Sequence, residues 1–228
     1  MIRWDAPGPY EVVFSTRAGG VSEGPYASLN LGRATADDPE RAAENRRRLC
    51  AEIGVDADRL ALNVQQHSAV VHRAEPGRRD AEGDGLWSDV SGQPMLALAA
   101  DCVPVAVART AGGPALAVLH AGWRGLADGI VAAGVTALGG PVAACVGPAI
   151  GPCCYTVGPE VSARFDADLT CDGRLNLWAA TERALRRAGC EAVERVDLCT
   201  SCNPELFFSH RRDAGVTGRQ GVIGVVVA

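Results

Sequence analysis

The sequence has 228 residues, of which 47% are hydrophobic, and this size predicts a single domain over residues 1–228 with a sizeable core. The net charge is −5 and the basic residues are scattered, which argues against nucleic acid or an anionic membrane as a partner. All 22 basic residues are arginine, so lysine-dependent Schiff-base chemistry is excluded and anion recognition must fall to arginine or backbone amides.

The cysteine content and the chain ends bear on the cellular compartment. Nine cysteines at irregular spacing do not form a disulfide framework, and they favour a reducing environment. Residues 1–7 lack the apolar core of a signal peptide, and the apolar run at 221–228 is too short to cross a bilayer. We therefore expect a cytoplasmic protein, either a monomer or a homodimer.

The first predicted helix follows Asp38. This residue is suited to an N-cap position, and Pro39 suits the first helical position. Residues 40–49 then continue without a breaker until Gly54. The pattern predicts a helix that begins at Pro39 and ends near Gly54.

Apolar runs in the middle of the chain predict three buried strands. The first two, residues 95–100 and 103–108, lie on either side of Asp101 and Cys102. A pair of glycines then turns the chain into the third strand, residues 115–119.

The remaining predicted elements alternate between helices and strands. Apolar residues at helical spacing after His120 predict a helix over 126–138. Short glycine turns join several strands, which favours an α/β domain with mixed rather than purely parallel sheets. The other predicted elements are helices at 157–165 and 175–188, the latter closed by Gly189, and strands at 192–198 and 221–227.

Three side chains in separate segments form a candidate metal-binding set. His67, Cys102 and His120 offer two imidazoles and a thiolate, and three protein ligands leave a fourth position open for a reactant. Each of the three could instead be a core residue without a metal, because a buried histidine often bonds a carbonyl and a buried thiol is often inert. His67 and His72 would face opposite sides of a strand, so only one of them is expected at the site, and His72 is kept as the reserve ligand. Asp101 is expected to orient a metal-bound histidine or to accept a proton.

Other polar clusters have less specific interpretations. Arg17 lies beside two glycines, an arrangement that suits anion binding. The run from Arg211 to Asp213 is interpreted as a solvated face or a local ion pair. Cys199 and Cys202 form a CxxC spacing, which occurs in zinc sites and in redox motifs. We expect neither role here, because the adjacent pair at 153–154 is a poor geometry for joint coordination and no βαβ pattern surrounds the motif.

Six segments together resemble the YfiH/laccase-domain family nearly end to end. Members of this family are also called LACC1-like purine nucleoside phosphorylases, peptidoglycan editing factors or polyphenol oxidases. The segments are FSTR with GGVS (14–22), SLNLG (28–32), ADCVP (100–104), HAGWRG (120–125), GPAIGPCCY (147–155) and TGR (217–219).

The resemblance implies a CNF1/YfiH-like layered α/β/β/α sandwich and a zinc site, with copper as a possible substitute. It assigns the metal to His67, Cys102 and His120, and we place the chemistry on Cys102, His120 and Asp101. The segment at 84–89 has a tryptophan, Trp87, where a smaller residue is usual, and we expect it to alter the pocket. The candidate substrate and phosphate contacts are Arg17, Asn45, Arg46 and Arg124.

The function implied by the resemblance is that of a zinc-dependent purine nucleoside phosphorylase. It would act on adenosine, inosine and methylthioadenosine with phosphate, and would also deaminate adenosine. Zinc would activate water in deamination, and arginine would position phosphate in phosphorolysis.

Three alternatives stay open. A copper-binding polyphenol oxidase is the first, although four histidines are too few for a multicopper cluster. A Cys102–His120 hydrolase that edits peptidoglycan precursors is the second. The third is a metal-carrying interaction module, in which a fourth ligand from Cys199, Cys202 or His72 would close the site.

Overall fold

The computed structural model describes residues 1–227, which form five α-helices and thirteen strands. The helices are α1 (Pro39–Glu52), α2 (Trp123–Asp128), α3 (Ile130–Leu138), α4 (Pro159–Ser162) and α5 (Leu177–Arg187). The strands are β1 (Ile2–Trp4), β2 (Tyr10–Phe14), β3 (Ala61–Leu62), β4 (Val71–Arg73), β5 (Gly85–Ser88), β6 (Met95–Ala99), β7 (Val103–Arg109), β8 (Leu116–Ala121), β9 (Val142–Val146), β10 (Thr170–Cys171), β11 (Arg174–Leu175), β12 (Ala192–Arg195) and β13 (Gln220–Val226).

Two mixed sheets carry the architecture. One has the order β1-β2-β13-β6-β3, the other has the order β12-β9-β7-β8-β5-β4, and β10 with β11 forms a separate hairpin. Most neighbours are antiparallel, whereas β3 pairs parallel to β6, β4 to β5 and β12 to β9. The predicted mixed α/β class is confirmed.

The period-two alternation of apolar residues places these sheets face to face. In β7 and β8, Val105 and Leu119 point towards α3, while Ala106 and Val118 point towards the other sheet. On the five-stranded sheet, Val13 belongs to a third cluster that it shares with helix α1. The layers therefore run helix, sheet, sheet, helix.

Local differences from the predicted elements have local causes. The helix predicted over 126–138 is broken into α2 and α3 at Gly129, whose φ of 98° is left-handed and ends the first helix. The helix predicted at 157–165 is reduced to the four residues of α4. The strand predicted at 192–198 ends at Arg195, where its pairing with β9 ends.

The predicted first helix is confirmed in its start and its end. The Asp38 side chain accepts a hydrogen bond from the Glu40 N–H, and the helix ends two residues before Gly54. Within residues 1–227 no helix combines the length and the apolarity that a membrane crossing needs.

The connection between β6 and β7 positions the site. Strand β6 belongs to the five-stranded sheet and β7 to the six-stranded one, so residues 100–102 pass from one sheet to the other. Strand β8 is paired with β7 and ends at Ala121, beside this crossing. Cys102 and His120 are thereby brought to the same end of the two sheets.

Candidate metal centre

His67, Cys102 and His120 meet at one point. Their ligand atoms all lie within 4.8 Å of one another. The Cys102 Sγ is 3.7 Å from His67 Nε2, and the two imidazole centroids are 4.9 Å apart in an edge-on arrangement. His120 is buried and His67 is exposed, so the group has a protected side and an open side.

A single carboxylate, that of Asp84, organises both histidines. It is fully buried and accepts hydrogen bonds from the backbone N–H groups of Gln66, His67 and Ser68 and from the Ser68 hydroxyl, at 2.7–3.1 Å. These bonds stabilise the left-handed φ of 60° at His67. The same carboxylate lies 2.8 Å from His120 Nδ1, which leaves Nε2 as the free ring nitrogen.

The expectation that Asp101 orients a metal-bound histidine is therefore wrong. Its two carboxylate oxygens accept hydrogen bonds from the Thr200 hydroxyl at 2.6 Å and from the Arg211 N–H at 2.7 Å. Asp101 lies next to Cys102 in the sequence, but its side chain ties two distant loops together. Asp84 was missed, although it opens the segment at 84–89 that had been matched to the family.

The charges within the group favour a thiolate. Burial raises the pKa of the Cys102 thiol, but the His120 and His67 imidazoles outweigh burial and lower it to about 6. Burial lowers the pKa of His120, but Cys102 and Asp84 outweigh burial and raise it to about 9. A thiolate is the form of cysteine that binds a metal ion.

Glycines leave room at this point. A Cβ at Gly122 would lie 2.5 Å from the His67 Cδ2 and 3.1 Å from the Cys102 Sγ. A Cβ at Gly125 would lie 2.6 Å from the Ser68 carbonyl oxygen. Both glycines belong to the HAGWRG segment, and they allow helix α2 to begin in contact with the loop that carries His67.

The donor set and the space fit a zinc or copper ion. One thiolate and two imidazoles are ligands that both metals accept. Among the described residues the group has three members, and His72, the reserve ligand, instead places Nε2 2.9 Å from the Glu82 carbonyl oxygen. The three ligands leave a coordination position open towards a cavity.

This cavity has a volume of about 800 Å³ and a strongly basic wall. His67, Cys102 and His120 lie on it together with two aromatic side chains, Trp123 and Tyr155. The basic side chains that line it are Arg33, Arg124, Arg211, Arg219 and His210. A cavity with these groups suits a ligand that is partly aromatic and partly anionic.

Comparisons with known proteins show which family the chain is similar to. Residues 11–227 match a family described as "Multi-copper polyphenol oxidoreductase laccase". The chain is 35% identical to a protein named purine nucleoside phosphorylase YlmD from Geobacillus stearothermophilus, with 90% of this chain and 86% of that protein covered. It is 34% identical to purine nucleoside phosphorylase YfiH from Escherichia coli, over 95% and 94% of the two chains.

A solved structure is similar throughout. The Neisseria meningitidis protein NMB0706 superposes with a TM-score of 0.89 at 33% identity, covering 100% of this chain and 99% of that one. The chain belongs to the YfiH/laccase-domain family. The resemblance seen in the sequence is confirmed, as is the mixed-sheet fold that it implied.

Two of the arginines predicted to contact substrate in this YfiH-family chain have structural roles instead. The Arg17 guanidinium donates to the carbonyl oxygens of Ala27 and Pro204, both at 2.8 Å. The Arg46 guanidinium donates to the Leu31 carbonyl oxygen at 2.9 Å. Neither lies among the described residues that line the cavity, so both predictions are corrected.

Asn45 is likewise a scaffold residue. It is fully buried, and its Nδ2 donates to the carbonyl oxygens of Ser28 and Asn30, while its Oδ1 accepts from the Val21 N–H. Its side chain thus fixes the loop before the SLNLG segment. Among the four predicted contacts, Arg124 alone lies on the cavity, where its guanidinium carbon is 4.4 Å from the Trp123 ring centroid.

The cavity wall also contains arginines that the sequence analysis did not assign to substrate binding. Arg211 had been interpreted as part of a solvated face, but it lines the cavity and packs over Tyr155 at 5.2 Å. Arg212 and Asp213 do form the local ion pair that had been expected. Arg219 belongs to the matched TGR segment, which was a usable signal for it.

Trp87 lies away from the cavity, contrary to the expectation that it alters the pocket. It packs on the helix-covered side of the six-stranded sheet and lies under the Arg73 guanidinium, away from the described lining residues of the cavity. In strand β5 the residue at 87 faces the opposite side from its neighbours at 86 and 88. The substitution of a large side chain is accommodated by that outer layer.

A second cysteine group contradicts another expectation. The sulfur atoms of Cys153, Cys154, Cys199 and Cys202 all lie within 4.8 Å of one another. Adjacency of the first two had been interpreted as a poor geometry for joint coordination. The turn at residues 151–155 nevertheless directs both thiols towards the CxxC segment, because the Cys154 and Tyr155 N–H groups both donate to the Gly151 carbonyl oxygen.

Proposed function

We propose that this chain is a zinc-dependent purine nucleoside phosphorylase that acts on adenosine, inosine and methylthioadenosine and also deaminates adenosine. The observation that carries the proposal is the three-ligand group of His67, Cys102 and His120, open to a cavity with four arginines. The relatives named purine nucleoside phosphorylase, from Geobacillus and Escherichia, support the substrate class.

The metal would be held by Cys102 Sγ and the imidazoles of His67 and His120. When bound, zinc supplies a Lewis acid that polarises a reacting oxygen and lowers the pKa of water. Asp84 holds a proton on His120 Nδ1, so Nε2 is the ring nitrogen that would release its proton and present a lone pair to the metal. Thiolate and neutral imidazole are the protonation states that this role requires.

Phosphate would be held by the arginine wall. The Arg219 side chain is half-buried, and this burial lowers the pKa of its guanidinium, which means that its charge is poorly solvated. A phosphate dianion in the cavity would compensate for that lost hydration, and Arg124 and Arg211 face the same space. Because the chain has no lysine, arginine is the permanently charged cationic side chain available for this task.

The purine would be held by the aromatic part of the cavity. Trp123 and Tyr155 line it, each with an arginine packed over its ring. Flat apolar surfaces of this kind suit a purine base. In phosphorolysis, a phosphate oxygen forms a bond to the anomeric carbon while the glycosidic C–N bond breaks, and the leaving purine nitrogen takes a proton. In deamination, water adds to the purine carbon and ammonia leaves.

Phosphate-dependent release of hypoxanthine from inosine tests the proposal. We expect ribose 1-phosphate to form in equal amount, and we expect Cys102→Ala to abolish both products. Cys171→Ala is the matched control, because Cys171 is an exposed cysteine that belongs to neither metal-binding candidate. Metal-loaded protein that never forms ribose 1-phosphate from any of the three nucleosides would refute the phosphorylase proposal.

A second candidate is a cysteine hydrolase acting on peptidoglycan precursors. The observation that favours it is the lowered pKa of Cys102 beside His120, which is the pattern of an activated nucleophile and its base. Metal loading separates the two candidates. A hydrolase would gain activity when chelator strips the metal and would lose it on alkylation of Cys102, whereas the phosphorylase would lose activity with the metal.

The polyphenol oxidase alternative rests on the family description and on the affinity of copper for these ligands. Of the chain's four histidines, His72 is engaged with a backbone carbonyl outside the group. Two imidazoles and one thiolate provide a mononuclear site, whereas a multicopper cluster needs more imidazoles. Oxidation of a phenol by copper-loaded protein, absent from zinc-loaded protein, would support this alternative.

A further inference from the structure

We propose that Cys153, Cys154, Cys199 and Cys202 form a second metal site, a closed tetrathiolate centre for one zinc ion. This site is separate from the His67–Cys102–His120 group in ligands and in chemistry. Its four protein sulfurs leave no position for a reactant, and this is the pattern of a structural zinc site.

The distances between the sulfur atoms support a tetrahedral centre. The Sγ of Cys202 lies 3.3 Å from that of Cys154 and 3.5 Å from that of Cys153, and all pairs are within 4.8 Å. With a Zn–S bond of about 2.3 Å, the edge of a ZnS₄ tetrahedron is about 3.8 Å. The two shortest of these separations lie a few tenths of an ångström below that edge, and they exceed the bonded S–S distance of about 2.05 Å.

The backbone holds the two segments together independently of the thiols. Ala149 and Cys199 form a parallel bridge, and the Thr200 N–H donates to the Ala149 carbonyl oxygen at 3.1 Å. The Asn203 backbone and side-chain N–H groups both donate to the Cys199 carbonyl oxygen. Because the ligands are already gathered, binding would require little rearrangement of the chain.

One sulfur already accepts a backbone hydrogen bond. The Gly151 N–H donates to the Cys199 Sγ at 3.3 Å. Such a bond orients a ligand and stabilises negative charge on it, as partners outside the ligand shell do in metal sites.

Packing does not account for this group. Cysteines that serve as small apolar residues are buried, as Cys50 and Cys145 are in this chain. Cys153 and Cys202, in contrast, are exposed and contribute little to the core. Metal binding would give these two exposed thiols a common role with the half-buried Cys154 and the buried Cys199.

The proposed centre would brace the wall of the cavity. The segment that carries Cys153 and Cys154 continues into Tyr155, which lines the cavity. The segment that carries Cys199 includes Thr200, whose hydroxyl donates to Asp101 beside the first site. A zinc ion that joins these two segments would fix their positions relative to each other and so stabilise this part of the cavity wall.

Metal content of the purified, reduced chain tests the proposal. After incubation with Zn²⁺ and removal of free metal, we expect about two zinc ions per chain. The double variant Cys153→Ser with Cys202→Ser should retain about one. Both positions are exposed, so these changes leave the core intact. Cys171→Ser, another exposed cysteine, is the matched control and should retain both ions.

The Cys102→Ser variant separates this proposal from the proposed function. It should lose the ion of the first site and retain the ion of the second, whatever activity the chain has. In cobalt-loaded protein, the strong absorption of a four-thiolate site should persist in Cys102→Ser and should fall to that of a single thiolate ligand, Cys102, in the double variant. Equal metal content in the wild type and the double variant would overturn the proposal. So would a mass showing a disulfide among these four residues in protein purified without oxidant.

Discussion

Replacing Asp84 with asparagine should damage the metal centre and the fold together. The Asp84 Oδ1 accepts from the His67 N–H and faces His120 Nδ1, while its Oδ2 accepts from Gln66 and from both donors of Ser68. An amide keeps one acceptor oxygen and replaces the other with an NH₂ donor. At least two buried donors therefore lose their acceptor in either orientation of the amide.

The size of the effect follows from that count. An orphaned buried donor costs about 1–3 kcal/mol, so two of them reduce the free energy of unfolding by roughly 2–6 kcal/mol. Burial raises the pKa of Asp84, but hydrogen bonds from His120 and Ser68 outweigh burial and hold the pKa well below its usual range. The carboxylate is therefore charged at neutral pH, and its loss also removes the charge that fixes the His120 tautomer. Zinc affinity should fall about 10- to 100-fold.

Urea unfolding of the metal-free protein measures the first effect, and competition with a chromophoric zinc chelator measures the second. Asp89→Asn is the matched control, because that carboxylate is exposed at the end of the same strand and pairs with Arg73. If Asp84→Asn changed the unfolding free energy by less than about 0.5 kcal/mol and zinc affinity by less than about threefold, the role assigned to Asp84 would be refuted.

Three further perturbations address the space, the charge and the pH dependence of the molecule. Gly122→Ala should lower zinc affinity at least about tenfold, because its Cβ would displace His67, while the circular dichroism stays unchanged. Gly113→Ala is the control: its Cβ would lie 3.7 Å from the nearest atom, so zinc affinity and circular dichroism should both stay unchanged. Arg124→Ala should raise the KM for phosphate about tenfold through loss of a charge-assisted hydrogen bond, and an unchanged KM in steady-state assays would contradict this. The Arg212 guanidinium holds the pKa of Asp213 below its unfolded value. Its carboxylate therefore stabilises the fold above the unfolded pKa, and this contribution is lost as the pH falls through the folded pKa. At pH 6 the free energy of unfolding of Asp213→Asn should be about 1 kcal/mol below that of the wild type. This difference should shrink as the pH of the measurement falls to 3, and a difference independent of pH would argue against the ion pair.

The mixed α/β class could be predicted from the apolar runs and glycine turns, whereas the layered arrangement was implied by the family resemblance. The runs around 95–108 alternate between two apolar environments, and the structure places a helix layer on one side of β7 and a second sheet on the other. The break at Gly129 was not anticipated, because apolar spacing continues across it and only the backbone conformation reveals it.

The candidate site was accessible in part. The segments that carry His67, Cys102 and His120 are distinctive, and the structure brings the three side chains together, although their role as ligands remains a prediction. The hydrogen-bond partner of His120 could not be predicted from the sequence. Asp84 is distant from His120 in the chain, and the antiparallel pairing of β5 with β8 brings the two side chains together.

Arginine roles were the hardest to assign, for a physical reason. With 22 arginines and no lysine, every cation in the chain has the same side chain, whether it ties carbonyls or faces a ligand. Arg17 and Arg219 both lie in matched segments and both donate to backbone carbonyl oxygens, yet the structure places only Arg219 on the cavity. Side-chain identity alone carries no such distinction.

The passage of the chain from β6 to β7 couples the centre to the docking of the two layers. Cys102 ends that crossing, while His120 sits on a strand of the six-stranded sheet and His67 follows β3 of the five-stranded one. Any sliding of one sheet over the other would change the separation of these donor atoms. An ion bound by all three would consequently resist sliding of one sheet over the other. Its affinity would therefore depend on how closely the two sheets keep their relative position.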